Sequence, residues 1–303
     1  MSDEYKKYQH VEKFGTSEVD GINFGTCYIF PKIDGTNGHI WEDGESIRLG
    51  SRRRELTLEE DNAGFCRWFE ETSGVRDKFT QIFDVFPDAH IYGEWLVPHT
   101  MKTYRDDSWR KFYIFDIRRR DDSYVKYNEY KEILDTVGYE DYIPPLRIIT
   151  NPTEENIVKC LEANDFLIQD GQGVGEGVVV KNYDFVNKYD HVVWAKYVRS
   201  DFKAKHIKEM GAPEIKGSDY IEEKIVETFL MDDIIDKVHA NIMADKDGWH
   251  SKCIGELLGR VFHDFVKEEC WNFISKNKLP TIDFKTLNRF VVMRIKSHKP
   301  ELF

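Results

Sequence analysis

Residues 27–50, Cys27-Tyr28-Ile29-Phe30-Pro31-Lys32-Ile33-Asp34-Gly35-Thr36-Asn37-Gly38-His39-Ile40-Trp41-Glu42-Asp43-Gly44-Glu45-Ser46-Ile47-Arg48-Leu49-Gly50, decide how this chain folds. Residues 27–34, 38–42 and 45–50 carry the aromatic and β-branched density of strands. Asp43-Gly44 between the last two is a strong hairpin signal. Lys32-Ile33-Asp34-Gly35 then falls where one strand ends and a tight turn leads to the next. That placement holds a lysine amine at the mouth of a pocket.

Outward from this core, Thr57 with Glu60 three residues later has the form of a capping box. Leu58, Phe65, Trp68 and Phe69 place an apolar stripe on the helix expected to follow. Further strands are expected at 89–96, 111–117, 176–181 and 192–198, so the first two thirds of the chain read as α+β. After Lys208 a Gly-Ala-Pro-Glu link and Gly217 precede a stretch with helical periodicity only. Ile221, Ile225, Val226, Phe229, Ile234, Ile235 and Val238 form one stripe. Ile254, Leu257, Leu258, Val261, Phe262, Phe265 and Val266 form a second, and Leu287 to Ile295 begin a third. The expected domains are 1–210, α+β, and 211–303, all-helical.

The chain has 303 residues, of which 41% are hydrophobic and 14% aromatic, enough to bury a core in each domain and too apolar for intrinsic disorder. No apolar run approaches the roughly 20 residues of a membrane span, and residues 1–10 are polar, so a cytoplasmic location is expected. Net charge is 43 − 55 = −12. Residues 1–210 hold 29 Lys and Arg against 39 Asp and Glu, and 211–303 hold 14 against 16. Neither part coats nucleic acid through bulk positive charge, and any polyanion must bind a local patch. Cys27, Cys66, Cys160, Cys253 and Cys270 are scattered and never in a C-x-x-C pair, which suggests neither a disulfide framework nor a structural zinc site.

The chemistry is written as an ordered series of charges that punctuate apolar strands. After Lys32 come Gly50-Ser51-Arg52-Arg53-Arg54, Tyr92-Gly93-Glu94-Trp95 and Phe112-Tyr113-Ile114-Phe115-Asp116-Ile117. Glu176-Gly177-Val178-Val179-Val180-Lys181 and Val193-Trp194-Ala195-Lys196-Tyr197 complete it. Charges inside strands are costly unless paired or functional, so several converging on one place read as a site.

This series resembles motifs I, Ia, III, IIIa, IV and V of the covalent nucleotidyltransferase superfamily of DNA ligases, RNA ligases and mRNA capping enzymes. The K-x-x-G-T-N form of Lys32 to Asn37, the Phe112–Ile117 segment and the lead-in Tyr5 to Lys13 are similar to the ATP-dependent RNA ligases of the phage double-strand nick-sealing and kinetoplastid editing branch. The resemblance covers roughly residues 5–205. It implies a nucleotidyltransferase (ATP-grasp-like ligase) domain of antiparallel sheets with flanking helices, then a small all-helical domain in place of an OB-fold. It implies joining of 3′-hydroxyl and 5′-phosphate RNA ends through a lysyl-AMP and an adenylylated 5′-phosphate, with ATP as co-substrate and Mg2+ or Mn2+ as metal. The partners are then RNA ends, duplex or bridged, and a monomer is expected.

By the same resemblance Lys32 is the nucleophile, and Ile33, Asp34, Gly35 and Asn37 line the nucleotide. Arg52 contacts phosphate and the RNA end, Glu94 the ribose, and Phe115 stacks on adenine. Asp116 and Glu176 organise metal and the transferring phosphate, while Lys181 and Lys196 touch the α-phosphate. A second lysine usual in motif V is absent, since the chain reads Lys196-Tyr197-Val198. Arg199, Lys203 and Lys205 are the candidates to replace it and, with Arg52, to hold RNA. Lys32 must attack as the neutral amine, and neighbouring cations are expected to favour that form. The alternatives are a DNA ligase, a capping guanylyltransferase using GTP, or a non-catalytic RNA-binding descendant.

Overall fold

In the computed structural model, residues 5–44, 46–98, 104–198, 221–246, 248–270, 273–274 and 281–303 are described. They fall into two compact units, one within Met1–Pro98 and Thr103–Arg199 and one within Ser200–Phe303. The expected boundary at 210/211 lies outside the described residues, as do Arg199, Lys203 and Lys205.

The first unit is built from two five-stranded sheets, antiparallel but for one short parallel pairing. One has the order β1 (Glu12–Lys13), β10 (Ala195–Val198), β9 (Gly177–Lys181), β2 (Thr26–Lys32), β8 (Arg147–Thr150). The other has the order β5 (Glu55–Leu56), β4 (Ser46–Ser51), β3 (Thr36–Asp43), β6 (His90–Leu96), β7 (Lys111–Arg118). Pro31 is tolerated inside β2 because β8 pairs only with Thr26 to Ile29, so no partner strand lies where its missing N–H would point. The hairpin sits where Asp43-Gly44 places it: Asp43 pairs with Ser46, and Gly44 supplies the φ of +65° that the turn requires.

Three helices pack on the sheets through aromatic side chains. Phe65 and Trp68 of α1 (Phe65–Glu71) meet Trp95 and Phe112 at 5.0–6.1 Å between ring centroids, and Phe79 of α2 (Val75–Val85) meets Phe69 and Tyr139. Tyr127 of α3 (Tyr127–Thr136) packs on Phe30. α4 (Glu154–Glu162) lies against β2, β9 and β10, started by a capping box between Thr153 and Asn156. Helix α1 begins later than Thr57 and Glu60 suggest. Thr57 Oγ1 does accept the Glu60 N–H at 3.2 Å, but Ala63 and Gly64 take left-handed φ of 53° and 81°, so that motif closes an isolated turn.

Among the described residues the second unit contains helices and no strand: α5 (Ile221–Phe229), α6 (Asp232–Asp245), α7 (Ile254–Phe265) and α8 (Phe284–His298). The single stripe expected from Ile221 to Val238 is divided by Leu230 and Met231 into two helices, whose apolar faces still share one core with Leu257, Val261, Phe265, Leu287, Val291 and Ile295. Asp283 caps α8 by accepting from the Lys285 and Thr286 amides, and its own N–H donates to buried Glu222 at 2.8 Å. No described helix is long and apolar enough to cross a membrane.

Beneath the hairpin, His39 and His90 share a hydrogen bond of 2.9 Å between Nε2 and Nδ1, stacked among Trp41 and Tyr92. Burial, then the facing imidazole, holds His39 well below the usual histidine value. Burial also brings His90 down to about 4. Both rings are neutral in the folded protein, whereas the unfolded chain binds protons below about pH 6.5, so stability falls as pH falls through this window. His90 alone accounts for about 2 kcal/mol between pH 7 and 5. Urea unfolding at the two pH values measures the loss, and the His39→Leu/His90→Leu double variant is expected to flatten it. An unchanged pH slope in that variant refutes a neutral pair.

Candidate active site

The chain passes from one sheet to the other at Lys32. Strand β2 ends on this residue, β3 begins at Thr36, and Ile33-Asp34-Gly35 is the crossing. Lys32 lies opposite Gly177, so the residue before Gly177 comes alongside: Lys32 Nζ stands 2.6 Å from Glu176 Oε2. Both side chains keep about a fifth of their surface exposed, at 23% and 20%, so the pair is reachable from solvent.

Two side chains fix the crossing. The Asp34 N–H donates to Tyr104 Oη at 2.7 Å and the Gly35 N–H to Glu94 Oε1 at 2.9 Å, satisfying amides that no strand partner can reach. Gly35 is required by close approach, since a Cβ there would lie 2.7 Å from the carbonyl oxygen of Trp95. Ile33 and Asp34 are buried. Asn37 pairs in register with Glu94, and its buried Oδ1 has no hydrogen-bond partner among the described residues. Burial pushes the Tyr104 phenol well above its ordinary value, helped by the carboxylates of Asp34, Glu176 and Glu94. It is therefore a neutral hydroxyl at any ordinary pH.

Residues opposite one another on adjacent strands share a face, and so do residues two apart. Lys32 pairs with Gly177, Phe30 with Val179 and Val179 with Lys196, while Tyr28 pairs with Lys181. Lys32, Lys196 and Lys181 therefore project from one face of the same sheet. Lys196 is one step of the pleat along the strands from Lys32 and two strands across, with β9 between them. Lys181 is two steps away, roughly 13 Å along the strand at about 3.3 Å per residue.

Lys181 is spent inside the protein. It is 2% exposed, and its Nζ donates to Asp116 Oδ1 at 2.8 Å and to the Phe115 carbonyl at 2.6 Å. It also sits 4.7, 5.8 and 5.6 Å from the ring centroids of Phe30, Phe115 and Trp194. Burial lowers its pKa, and Asp116 opposes that shift. Asp116 is fully buried, its Oδ2 accepting from Tyr8 Oη at 2.5 Å and Trp194 Nε1 at 3.1 Å. Of the two carboxylates expected to organise metal and the transferring phosphate, Asp116 accepts from three donors, Tyr8, Trp194 and Lys181, and Glu176 stands beside Lys32. Among the described residues no group of three or more His, Cys, Asp or Glu could hold an ion. Glu176 remains as a partly exposed carboxylate beside the Lys32 amine, which fits magnesium's habit of taking one or two carboxylates with substrate phosphates.

Phe115 and Asp116 owe their placement to a β-bulge. Tyr92 pairs with Asp116 and Gly93 with Ile114, leaving Phe115 as the extra residue on β7. Its half-buried ring meets Tyr8 at 5.0 Å. Arg52 is placed differently: it is exposed in the turn after β4, which is closed by the Ser51 amide donating to the Arg54 carbonyl at 2.8 Å. Arg54 is paired with Glu60.

The residues that sequence reasoning missed are Tyr104, which holds the crossing, and Tyr8 and Trp194, which close on Asp116. Tyr8 belongs to the Tyr5–Lys13 lead-in, which lies over both sheets. The Tyr5 hydroxyl donates to the Ser51 carbonyl, and the Tyr92 hydroxyl donates to the Lys6 carbonyl, each at 2.8 Å. The two tyrosines of that lead-in, Tyr5 and Tyr8, were the available signal. Tyr104 had none, since its role depends on a bond to an amide 70 residues away.

A family model for RNA ligase matches residues 25–198. A solved Naegleria gruberi RNA ligase variant with AMP and Mn is similar at 16% identity, over 66% of this chain and 58% of that one, with a TM-score of 0.50. Another variant of that ligase, solved with ATP and Mn, gives 18% identity over 67% of this chain and 58% of that one, with a TM-score of 0.49. The match thus spans less than two thirds of the Naegleria chain. No curated protein sequence matches.

Proposed function

Because this chain belongs to the RNA ligase family, we propose that it is an ATP-dependent RNA ligase joining a 3′-hydroxyl to a 5′-phosphate. The observation that carries the reading is the Lys32–Glu176 contact of 2.6 Å at a crossing held by Glu94 and Tyr104. An amine so held is a positioned nucleophile with a carboxylate hydrogen-bonded to its N–H.

In the proposed first step the neutral Lys32 amine attacks the α-phosphorus of ATP. The N–P bond forms, the bond from the α-phosphorus to the bridging oxygen breaks, and pyrophosphate leaves. The amine's proton has Glu176 as its nearest acceptor. Lys196, on the same face, offsets charge on the phosphate oxygens. Phe115 supports the adenine, and Glu94 lies beside the crossing where a ribose would be held. The 5′-phosphate of RNA then displaces Lys32 to give the adenylylated end, and the 3′-hydroxyl displaces AMP to close the phosphodiester. A divalent ion bound with the nucleotide supplies charge neutralisation on the phosphates, with Glu176 as its protein ligand.

Exposed Arg52, with Arg199, Lys203 and Lys205, is proposed to hold the RNA end, which reconciles an acidic chain with a polyanionic substrate. The two proposed domains are an adenylyltransferase domain, 1–210, and a helical domain, 211–303.

Incubation with α-labelled ATP and magnesium, followed by denaturing electrophoresis, tests the reading. Covalent label is expected from ATP and not from GTP, with sealing of 5′-phosphate RNA in preference to nicked DNA. A protein that takes no label is not a ligase of this kind.

A further inference from the structure

Lys181, Asp116, Tyr8 and Trp194 form one buried polar cluster that touches no exposed surface of the site and yet grips Phe115 from behind. Lys181 donates to the Phe115 carbonyl and to the neighbouring carboxylate, and the Tyr130 hydroxyl donates to that same carbonyl at 3.3 Å. Phe115 is the bulged residue of β7, so no strand partner fixes it. An extra residue in a ladder keeps its direction only if something else determines it, and here four segments do so: β9 through Lys181, α3 through Tyr130, the N-terminal segment through Tyr8, and the residue before β10, Trp194. Gln9 joins them, since with its amide oriented to suit its neighbours Nε2 donates to the Val192 carbonyl at 2.7 Å and Oε1 accepts from Trp194 Nε1 at 2.9 Å.

We infer that Lys181 is a positioning residue, which sets the place of the Phe115 ring and thereby the affinity for the nucleobase, and that it does not bind phosphate. The inference rests on the proposed role of Phe115 as the adenine platform. Lys181 Nζ is enclosed by three aromatic rings and already has two oxygen partners, so reaching a phosphate would mean leaving Asp116 as a buried, unpaired carboxylate. The burial that lowers its pKa is consistent with a lysine that faces no solvent-borne anion.

The two roles separate on a ligand that has no phosphate. Adenosine binding, followed by nuclear magnetic resonance line broadening, and ATP labelling kinetics are measured for the wild-type protein, Lys181→Met, and Lys181→Met/Asp116→Asn. Lys181→Met is expected to weaken adenosine and to raise the KM for ATP by a similar factor, about tenfold, while the labelling rate at saturating ATP stays within about threefold. The double variant removes the stranded carboxylate but still lacks the lysine donor to the Phe115 carbonyl, so it is expected to keep the labelling rate within about threefold of wild type while adenosine affinity and KM stay weakened. Tyr8→Phe, which deletes only one donor to Asp116, should move KM in the same direction by a smaller factor. Unchanged adenosine affinity in Lys181→Met, or a labelling rate reduced a hundredfold with no recovery in the double variant, would overturn the inference. Absence of labelling in the wild-type protein refutes the ligase reading instead, and the adenosine measurement still decides the role of Lys181.

Discussion

Lys32→Ala and Lys32→Arg are expected to lose covalent labelling by α-labelled ATP by at least about 10⁴-fold, because neither offers a neutral amine to phosphorus. The arginine variant is the sharper of the two. It keeps a cation beside Glu176, so its failure separates nucleophilicity from charge. Glu176→Gln is expected to behave differently. A glutamine oxygen still accepts a hydrogen bond at the 2.6 Å contact, but it cannot take up a proton or balance the ammonium. Its labelling rate at pH 7 should fall by about 10²-fold, the usual size of a general-base contribution. Single-turnover labelling measures this. Label retained in Lys32→Arg would place the nucleophile elsewhere, and an undiminished rate in Glu176→Gln would remove Glu176 from proton handling.

The parts of this site that could be read from sequence are those fixed by local alternation. A lysine at the end of an apolar run, followed by Asp-Gly, announces a strand end and a turn. Glu176 and Lys181 bracket the apolar run of β9 just as the sequence suggests. What could not be read is which of two same-face lysines meets solvent. Lys181 and Lys196 alternate identically in sequence, and only the packing of Phe30, Phe115 and Trp194 buries one of them. The surroundings of Asp116 were hidden for the same reason: a carboxylate in a strand is either functional or paired, and its hydrogen-bond partners come from positions 8, 181 and 194. The helix expected at Thr57 shows the converse, where a correct local motif made a turn because the left-handed residues at 63 and 64 interrupt the chain. The helical character of the second unit's described residues came through in the three apolar stripes, apart from the break at Leu230 and Met231, which carry no Gly or Pro to announce it.

Two glycines paired inside the second sheet give a prediction with a large effect on stability. Gly38 and Gly93 are paired on β3 and β6, one step beyond the pairing of Asn37 with Glu94. The space both leave is filled by Phe112: a Cβ on Gly38 would lie 2.7 Å from its ring and one on Gly93 2.5 Å from it. Either alanine overpacks the centre of the aromatic layer formed by Phe65, Trp68 and Trp95. Such insertions typically cost about 1–3 kcal/mol, and more where backbone must move. The two differ in what else they strike. The nearest atoms to a Gly38 Cβ are those of the Phe112 ring and, at 3.0 Å, the Phe65 ring, whereas those nearest a Gly93 Cβ include the Tyr113 carbonyl oxygen at 2.7 Å. Trimming the ring with Phe112→Leu, which by itself removes buried apolar volume, should therefore rescue Gly38→Ala by at least about 1 kcal/mol in a double-mutant cycle. The same trim should leave Gly93→Ala destabilised by about 3 kcal/mol or more, since a backbone carbonyl in a strand has no other place to go. Urea unfolding of the two single variants, Phe112→Leu and both doubles decides it. Equal rescue at the two positions would mean that the Tyr113 carbonyl yields, and that β7 is not held against β6 as firmly as the bulge at Phe115 requires.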